Sequence, residues 1–254
     1  FADLFDNNER ILPLCTDLGE RAALIFETGL LLRDELHRED EALEKFREIL
    51  AHVGALPAAD PSGKDLRVTT IRHALAAAEE MLDNDALKLV AAEILRPIYR
   101  SSGMYDRMVK LSEIEVASLD DPRERVARLR ELATVKAERL RDPSGAFDAL
   151  ARACRDAGGG PELASMVEDA ERWAQASGGV PGLVTLYREL APDVFDVDLQ
   201  RRMHLVVADL ASSVLDDIEV AIDYYRRVLD STPDDARSLA QLERLYREAQ
   251  RPQD

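Results

Sequence analysis

Lysine is scarce in this chain: of its 33 basic residues only five are Lys and 28 are Arg. With abundant Ala, that bias is read as the mark of a GC-rich coding genome. Aromatic residues make up only 5%, and nowhere does a period of two persist over the length of a strand, which excludes an all-β fold. Two cysteines, Cys15 and Cys154, stand 139 positions apart among apolar neighbours. They do not make the framework of a small disulfide scaffold and are expected to be buried and reduced. No apolar run approaches the roughly 18–20 residues that cross a bilayer, so membrane insertion is not expected. The 33 basic residues are outnumbered by 50 acidic ones, for a net charge of -17. Such a chain repels phosphate backbones, which excludes nucleic acid as an expected partner. The first residue is Phe1 and not Met, which suggests a fragment or processed product; a cytoplasmic location is favoured.

Catalytic motifs are missing too, so the chain is expected not to be an enzyme and to need no cofactor. His37, His52, His73 and His204 are scattered, with no HExxH and no Cys-x-x-Cys spacing, so no zinc site is written here. "GGGP" at 158–161 has neither a strand before it nor a Lys after it, and reads as a helix stop. No G-x-S-x-G elbow occurs. "DVFDVD", with Asp193, Asp196 and Asp198, lacks the turn glycine and distal Glu of a calcium loop and reads as helix capping. Glu79 and Glu80 read as a solvated helix face.

What is present is helix. Apolar residues are 46% and charged residues 33% of the chain, with Leu and Ala dominant, a helical palette. Three-to-four spacing of apolar residues predicts thirteen helices near 3–18, 20–36, 39–53, 66–82, 85–101, 104–118, 122–140, 143–156, 161–177, 180–191, 198–215, 218–230 and 235–249. Asp121 before Pro122, Asp142 before Pro143, and Thr232 before Pro233 with Asp235 mark helix starts. The expected organisation is one domain, 1–254, with an irregular loop at 54–64.

The chain also repeats itself. Sliding it by 75 residues lays Ile98 on Trp173, Gly103 on Gly178, Leu111 on Leu186, Ala133 on Ala208, Asp142 on Asp217 and Ala146 on Ala221. A shift of 34 lays Leu205 on Leu239, Ala208 on Leu242 and Ser212 on Tyr246. A two-helix unit of that length cannot bury its apolar face alone and must stack on its neighbours. The expected fold is therefore an all-α solenoid of antiparallel helical hairpins. Trp173, paired with Ile98 by the long shift, is expected to fill the core between units. Leu242 and Leu245, on a last helix without a partner, are expected to be partly uncovered.

Ala221, Tyr225, Val228 and Pro233, followed by Leu239, Leu242 and Tyr246, resemble the tetratricopeptide repeat family. Leu95, Tyr99, Gly103 and Tyr105 repeat the pattern, and Ala42 with Phe46, Ala146 with Leu150 and Leu183 with Tyr187 echo it. The family's first-helix Trp and Gly are replaced by Leu205 and Asp209. The resemblance implies a right-handed superhelix that holds a partner peptide or helix in a groove lined by first helices. Carried over position by position, that groove holds Arg100; Arg128, Glu131 and Glu138; Glu168, Arg172 and Gln175; Met203, Val206 and Leu210; and Arg244 and Arg247. Guanidiniums there would clamp carboxylates. The function expected is a non-enzymatic protein–protein interaction scaffold, with self-association through its apolar ends as a further expectation. The alternative is a ligand- or peptide-sensing regulatory segment of a larger signalling protein.

Overall fold

A computed structural model of the chain describes residues 1–51, 53–58 and 64–249. His52 and most of the second half of the loop expected at 54–64 lie outside the described residues. Thirteen α-helices and no strands occur among the described residues. They are α1 Ala2–Ile11, α2 Leu18–Leu30, α3 Glu39–Leu50, α4 Leu66–Glu80, α5 Lys88–Ser101, α6 Tyr105–Ser118, α7 Pro122–Glu138, α8 Pro143–Ala157, α9 Leu163–Ser177, α10 Val180–Leu190, α11 Val197–Ser213, α12 Ile218–Ser231 and α13 Ala236–Glu248. Among the described residues none of them is long and apolar enough to cross a membrane.

The helix boundaries carry the repeat. α5, α6, α7 and α8 begin at 88, 105, 122 and 143, and α9 to α12 begin 75 residues later, at 163, 180, 197 and 218. The turns follow the same register. Gly103 and Gly178 both take the left-handed conformation, at φ 67° and 73°, where glycine has no Cβ to clash. Arg141 and Asp216 take it at φ 53° and 54°, in spite of their side chains.

The long shift alone misses a third copy of one hairpin. α2 and α3 begin 104 residues before α7 and α8, and the details agree. Asp17, Asp121 and Asp196 cap α2, α7 and α11, each accepting from backbone N–H groups of the first turn at 2.8–3.1 Å. His37 matches Arg141 and Asp216 with φ 52°. In each turn the next residue's N–H closes the end of the first helix at 2.8–2.9 Å, from Arg38 to the Leu32 carbonyl, Asp142 to Lys136 and Asp217 to Ala211. Ala42, Ala146 and Ala221 are fully buried in the second helices. Gly29, Ala133 and Ala208 hold equivalent places in the first helices.

The crossing of α2 and α3 shows why that place is small. A Cβ on Gly29 would lie 2.6 Å from the Phe46 ring. Gly29→Ala should gain about 1 kcal/mol of helix propensity and lose more to overpacking, which costs about 1–3 kcal/mol. A lower melting temperature is expected. Adding Phe46→Leu should restore it, because that pair recreates the Ala133 and Leu150 combination of α7 and α8.

Contacts divide the chain into two compact units, Phe1–Ser118 and Leu119–Asp254. In the first, α2, α3 and α4 pack on one another and α5 pairs with α6. Its core joins Leu32, Leu43, Phe46, Ala74, Ala78, Leu95, Tyr99 and Leu111. Asn8 ties α1 to α2 by donating to Thr28 at 3.3 Å. The described part of the loop after α3 has no helix; the Leu56 N–H donates to Ser102 at 2.8 Å and Arg72 donates to the Pro57 carbonyl at 2.7 Å. In the second unit each helix from α7 to α13 packs on the next, with α7–α8 and α11–α12 the most extensive pairs. Leu129, Leu150, Met166, Leu186, Tyr187, Val207, Tyr225 and Val228 are buried there.

Three local expectations are corrected. The first helix ends at Ile11 with a short turn over Leu12–Leu14, since Pro13 cannot donate to continue it. α13 is capped by Asp235, which accepts from the Ser238 N–H at 2.7 Å, and not by Thr232. Thr232 instead opens a turn that carries Pro233 and closes with the Asp235 N–H on the Thr232 carbonyl at 3.1 Å. Leu242 and Leu245 are buried, because α12 covers them; it is Leu239 that stands 48% exposed.

Candidate partner-binding face

In the second unit the first helices of successive hairpins, α9, α11 and α13, are linked by arginines. Arg202 of α11 reaches back to Glu168 and Glu171 of α9 at 3.0 and 2.8 Å. Arg237 and Arg244 of α13 reach back to Asp209 and Ser212 of α11 at 2.6 and 2.8 Å. Behind this ladder, buried tyrosines of the second helices hold the same acids. Tyr187 of α10 donates to Glu171 at 2.7 Å, and Tyr225 of α12 donates to Asp209 at 2.6 Å. The acid precedes its tyrosine by sixteen residues in both. The first unit has its own version, in which Tyr99 donates to Glu79 at 2.6 Å and Arg107 pairs with the same carboxylate. These clasps have a clear physical cost for ionisation. Burial, and then the adjacent carboxylate, push Tyr99, Tyr187 and Tyr225 well above the usual tyrosine range.

The sequence-derived groove residues divide into those this face presents and those it does not. Arg128, partly exposed on α7, pairs with Glu131 at 3.0 Å. Arg172, exposed on α9, pairs with Asp169 at 2.6 Å and lies 4.7 Å over the Trp173 ring. Gln175 and Glu168 are exposed on α9, and Val206 and Leu210 partly exposed on α11. Arg244 and Arg247 are exposed on α13, the latter paired with Glu243. Arg100 lies on α5 in the first unit, exposed. Met203 is a correction: it is fully buried, because α11 turns the Met203, Val207, Ala208 and Ala211 side inward. Trp173 is a second correction. It is only partly buried and lines a small cavity of about 110 Å³ with Arg130, Glu138, Asp169 and Arg172 above Ala133 and Leu150. No sequence pattern marks Arg202 and Arg237; the recurrent sixteen-residue spacing of acid and tyrosine marks only the carboxylates Glu171 and Asp209 that they reach.

Charges elsewhere are accounted for locally. Asp196 is a helix cap, and Asp193 and Asp198 are exposed. No group of three or more His, Cys, Asp or Glu is placed to hold a metal ion among the described residues. His73 packs 5.8 Å from the Phe26 ring and His204 edge-on to Tyr224 at 5.6 Å. Cys154 is fully buried and its thiol is pushed up to about 12 by burial, while Cys15, expected to be buried, is partly exposed. A thiol reagent at neutral pH should therefore label the native protein once, at Cys15, and twice after unfolding, read by intact mass.

No family model matches the chain, and no curated protein matches it.

Proposed function

We propose that the chain is a tetratricopeptide-like solenoid that acts as a non-enzymatic scaffold, holding an acidic peptide or partner helix against the face of α7, α9, α11 and α13. The observation that carries this reading is the arginine ladder. It sets the first helices of successive hairpins side by side, as a superhelical array requires, and presents guanidiniums along one face. The 75-residue register of helices and turns supports the array. So does the third hairpin copy at α2 and α3.

Several of these arginines, Arg172, Arg237 and Arg247 among them, are held in largely exposed ion pairs, each worth about 0–1 kcal/mol. A ligand carboxylate can take over such a pair at little cost, while the pair keeps the guanidinium in position beforehand. Trp173 beside Arg172 adds a flat apolar contact next to the charge. Of the groups with strongly altered protonation, the tyrosines and Cys154 are locked into packing, as structural groups are, which supports a binding role over a catalytic one.

The test is to pan a library of random short peptides against the protein. Enrichment of sequences pairing Asp or Glu with an apolar residue is expected, with binding that shifts the emission of Trp173 and drops at least tenfold in Arg172→Glu/Arg244→Glu. No enrichment, or equal binding to that variant, would overturn the proposal.

A further inference from the structure

We infer, on the basis of the scaffold reading, that the small cavity between α7, α8 and α9 is the anchor pocket of the binding face, and that it takes one aliphatic side chain carried beside a carboxylate on the partner peptide. The repeat explains why the cavity is there. α7 and α8 begin 75 residues before α11 and α12. In the α11–α12 hairpin Tyr225 donates to Asp209, and Arg237 and Arg244 of α13 reach Asp209 and Ser212. Counted back by 75, Tyr225 becomes Leu150, Asp209 becomes Thr134, Ser212 becomes Ala137 and Arg244 becomes Asp169. All four of these line the cavity.

The clasp kept at α9–α10 and α11–α12 is therefore replaced at α7–α8 by shorter side chains. Leu150 has no hydroxyl to donate, and Thr134 donates to the Arg130 carbonyl of its own helix at 3.0 Å and not across to another. About 110 Å³ is left between them and Trp173. A cavity of about 150 Å³ with apolar walls holds benzene, so this smaller space favours a branched aliphatic group, of valine to leucine size, over an aromatic ring. Ala133, Ala137, Leu150 and Trp173 give it the apolar lining that such a group requires.

The charges in the lining fix what stands beside the anchor. Arg172 is held by Asp169 at 2.6 Å, which leaves Arg130 and Glu138. Both are exposed on α7, neither has an ion pair among the described residues, and they stand about 12 Å apart along the helix. A carboxylate next to the anchor is drawn to the Arg130 end and repelled from the Glu138 end. The acid is thereby confined to one side of the aliphatic residue.

Panning one random peptide library against three forms of the whole chain tests this. They are the wild type, Thr134→Asp/Leu150→Tyr, which rebuilds the clasp inside the cavity, and Arg130→Gln. Thermal melts verify the fold of each, and Ala137→Leu, which fills the cavity from α7, replaces the rebuilt clasp if that variant melts early. Peptides enriched on the wild type should carry Val, Leu or Ile beside Asp or Glu, with aliphatic anchors favoured over Phe, Tyr and Trp by about tenfold. The filled variant should still enrich acidic peptides and lose the aliphatic preference. Arg130→Gln should keep the aliphatic anchor and lose the acid beside it. Acidic peptides without an aliphatic anchor, aromatic anchors in equal number, or an unchanged profile in the filled or Arg130→Gln variant would overturn the inference and leave the scaffold reading standing. No enrichment on the wild type would overturn both.

Discussion

Tyr225→Ala should destabilise the second unit by about 3–5 kcal/mol, the range for truncating a large buried aromatic side chain. Tyr225 is 1% exposed and fills the space beside Ala221 and Val228 where α12 meets α11. Its hydroxyl donates to Asp209 at 2.6 Å, and Asp209 also receives Arg237 of α13 at 2.6 Å. Removing the ring therefore opens a cavity and frees the carboxylate that links two hairpins. Tyr225→Phe keeps the ring and loses one hydrogen bond to a partly exposed acid, which should cost about 1–2 kcal/mol. Urea unfolding followed by circular dichroism separates the two effects. A Tyr225→Ala midpoint close to that of the wild type would mean that the repeat packing described for α11 and α12 is wrong.

Alkaline pH should unfold the protein with unusual steepness. Tyr99, Tyr187 and Tyr225 each hold a proton in the fold, at a pH where the unfolded chain, with a tyrosine pKa of about 10, has lost it. The fold then binds more protons than the unfolded chain, so stability falls as pH rises above about 10 and is unaffected by these groups below it. One such tyrosine contributes a slope of up to about 1.4 kcal/mol per pH unit. Tyr99 bears on the first unit and Tyr187 and Tyr225 on the second, where the two together give a slope of up to about 3 kcal/mol per pH unit, and solvent near the Tyr99 and Tyr225 clasps narrows the pH range over which they act. Domains of ordinary stability, about 5–15 kcal/mol, are lost within a few units at that slope. Melts taken between about pH 7 and pH 12 should show a shallow decline above about pH 8.5, where the unfolded chain but not the fold loses the Cys154 thiol proton, and a sharper one above about pH 10, with tyrosinate absorbance rising as the fold is lost. Tyr187→Phe should make the decline shallower. An identical decline in that variant would rule out the clasp as its origin.

The helices were legible because their signals are local. Apolar spacing marks each of them, and pairs such as Asp121–Pro122 and Asp142–Pro143 announce their starts. The α2–α3 hairpin was harder to place in the repeat, because α4 interrupts the alternation and shifts it to a spacing of 104 that no multiple of 75 or 34 supplies. Only Asp17, Gly29, His37, Ala42 and Phe46 taken together reveal it. The pattern misplaces Met203 because 203, 206, 207 and 210 form one apolar face of α11, of which the structure buries only the Met203 and Val207 edge. Which of them turns inward depends on the small Ala208 and Ala211 and the helix packed on them. The arginine ladder was hidden for a different reason. Arg202 and Arg237 find acids about 30 residues away on another helix, and only the packing of hairpins brings them together.

The most direct test of the scaffold reading is photo-crosslinking with a benzoylphenylalanine at Gln175, exposed on α9, and separately at Asp223, exposed on α12, in lysate of the source cells. If α7, α9, α11 and α13 form the binding face, Gln175 should yield a discrete adduct with another protein, lost in Arg172→Glu/Arg244→Glu, and Asp223 should yield none. Adducts at both positions alike, or at Asp223 alone, would contradict it.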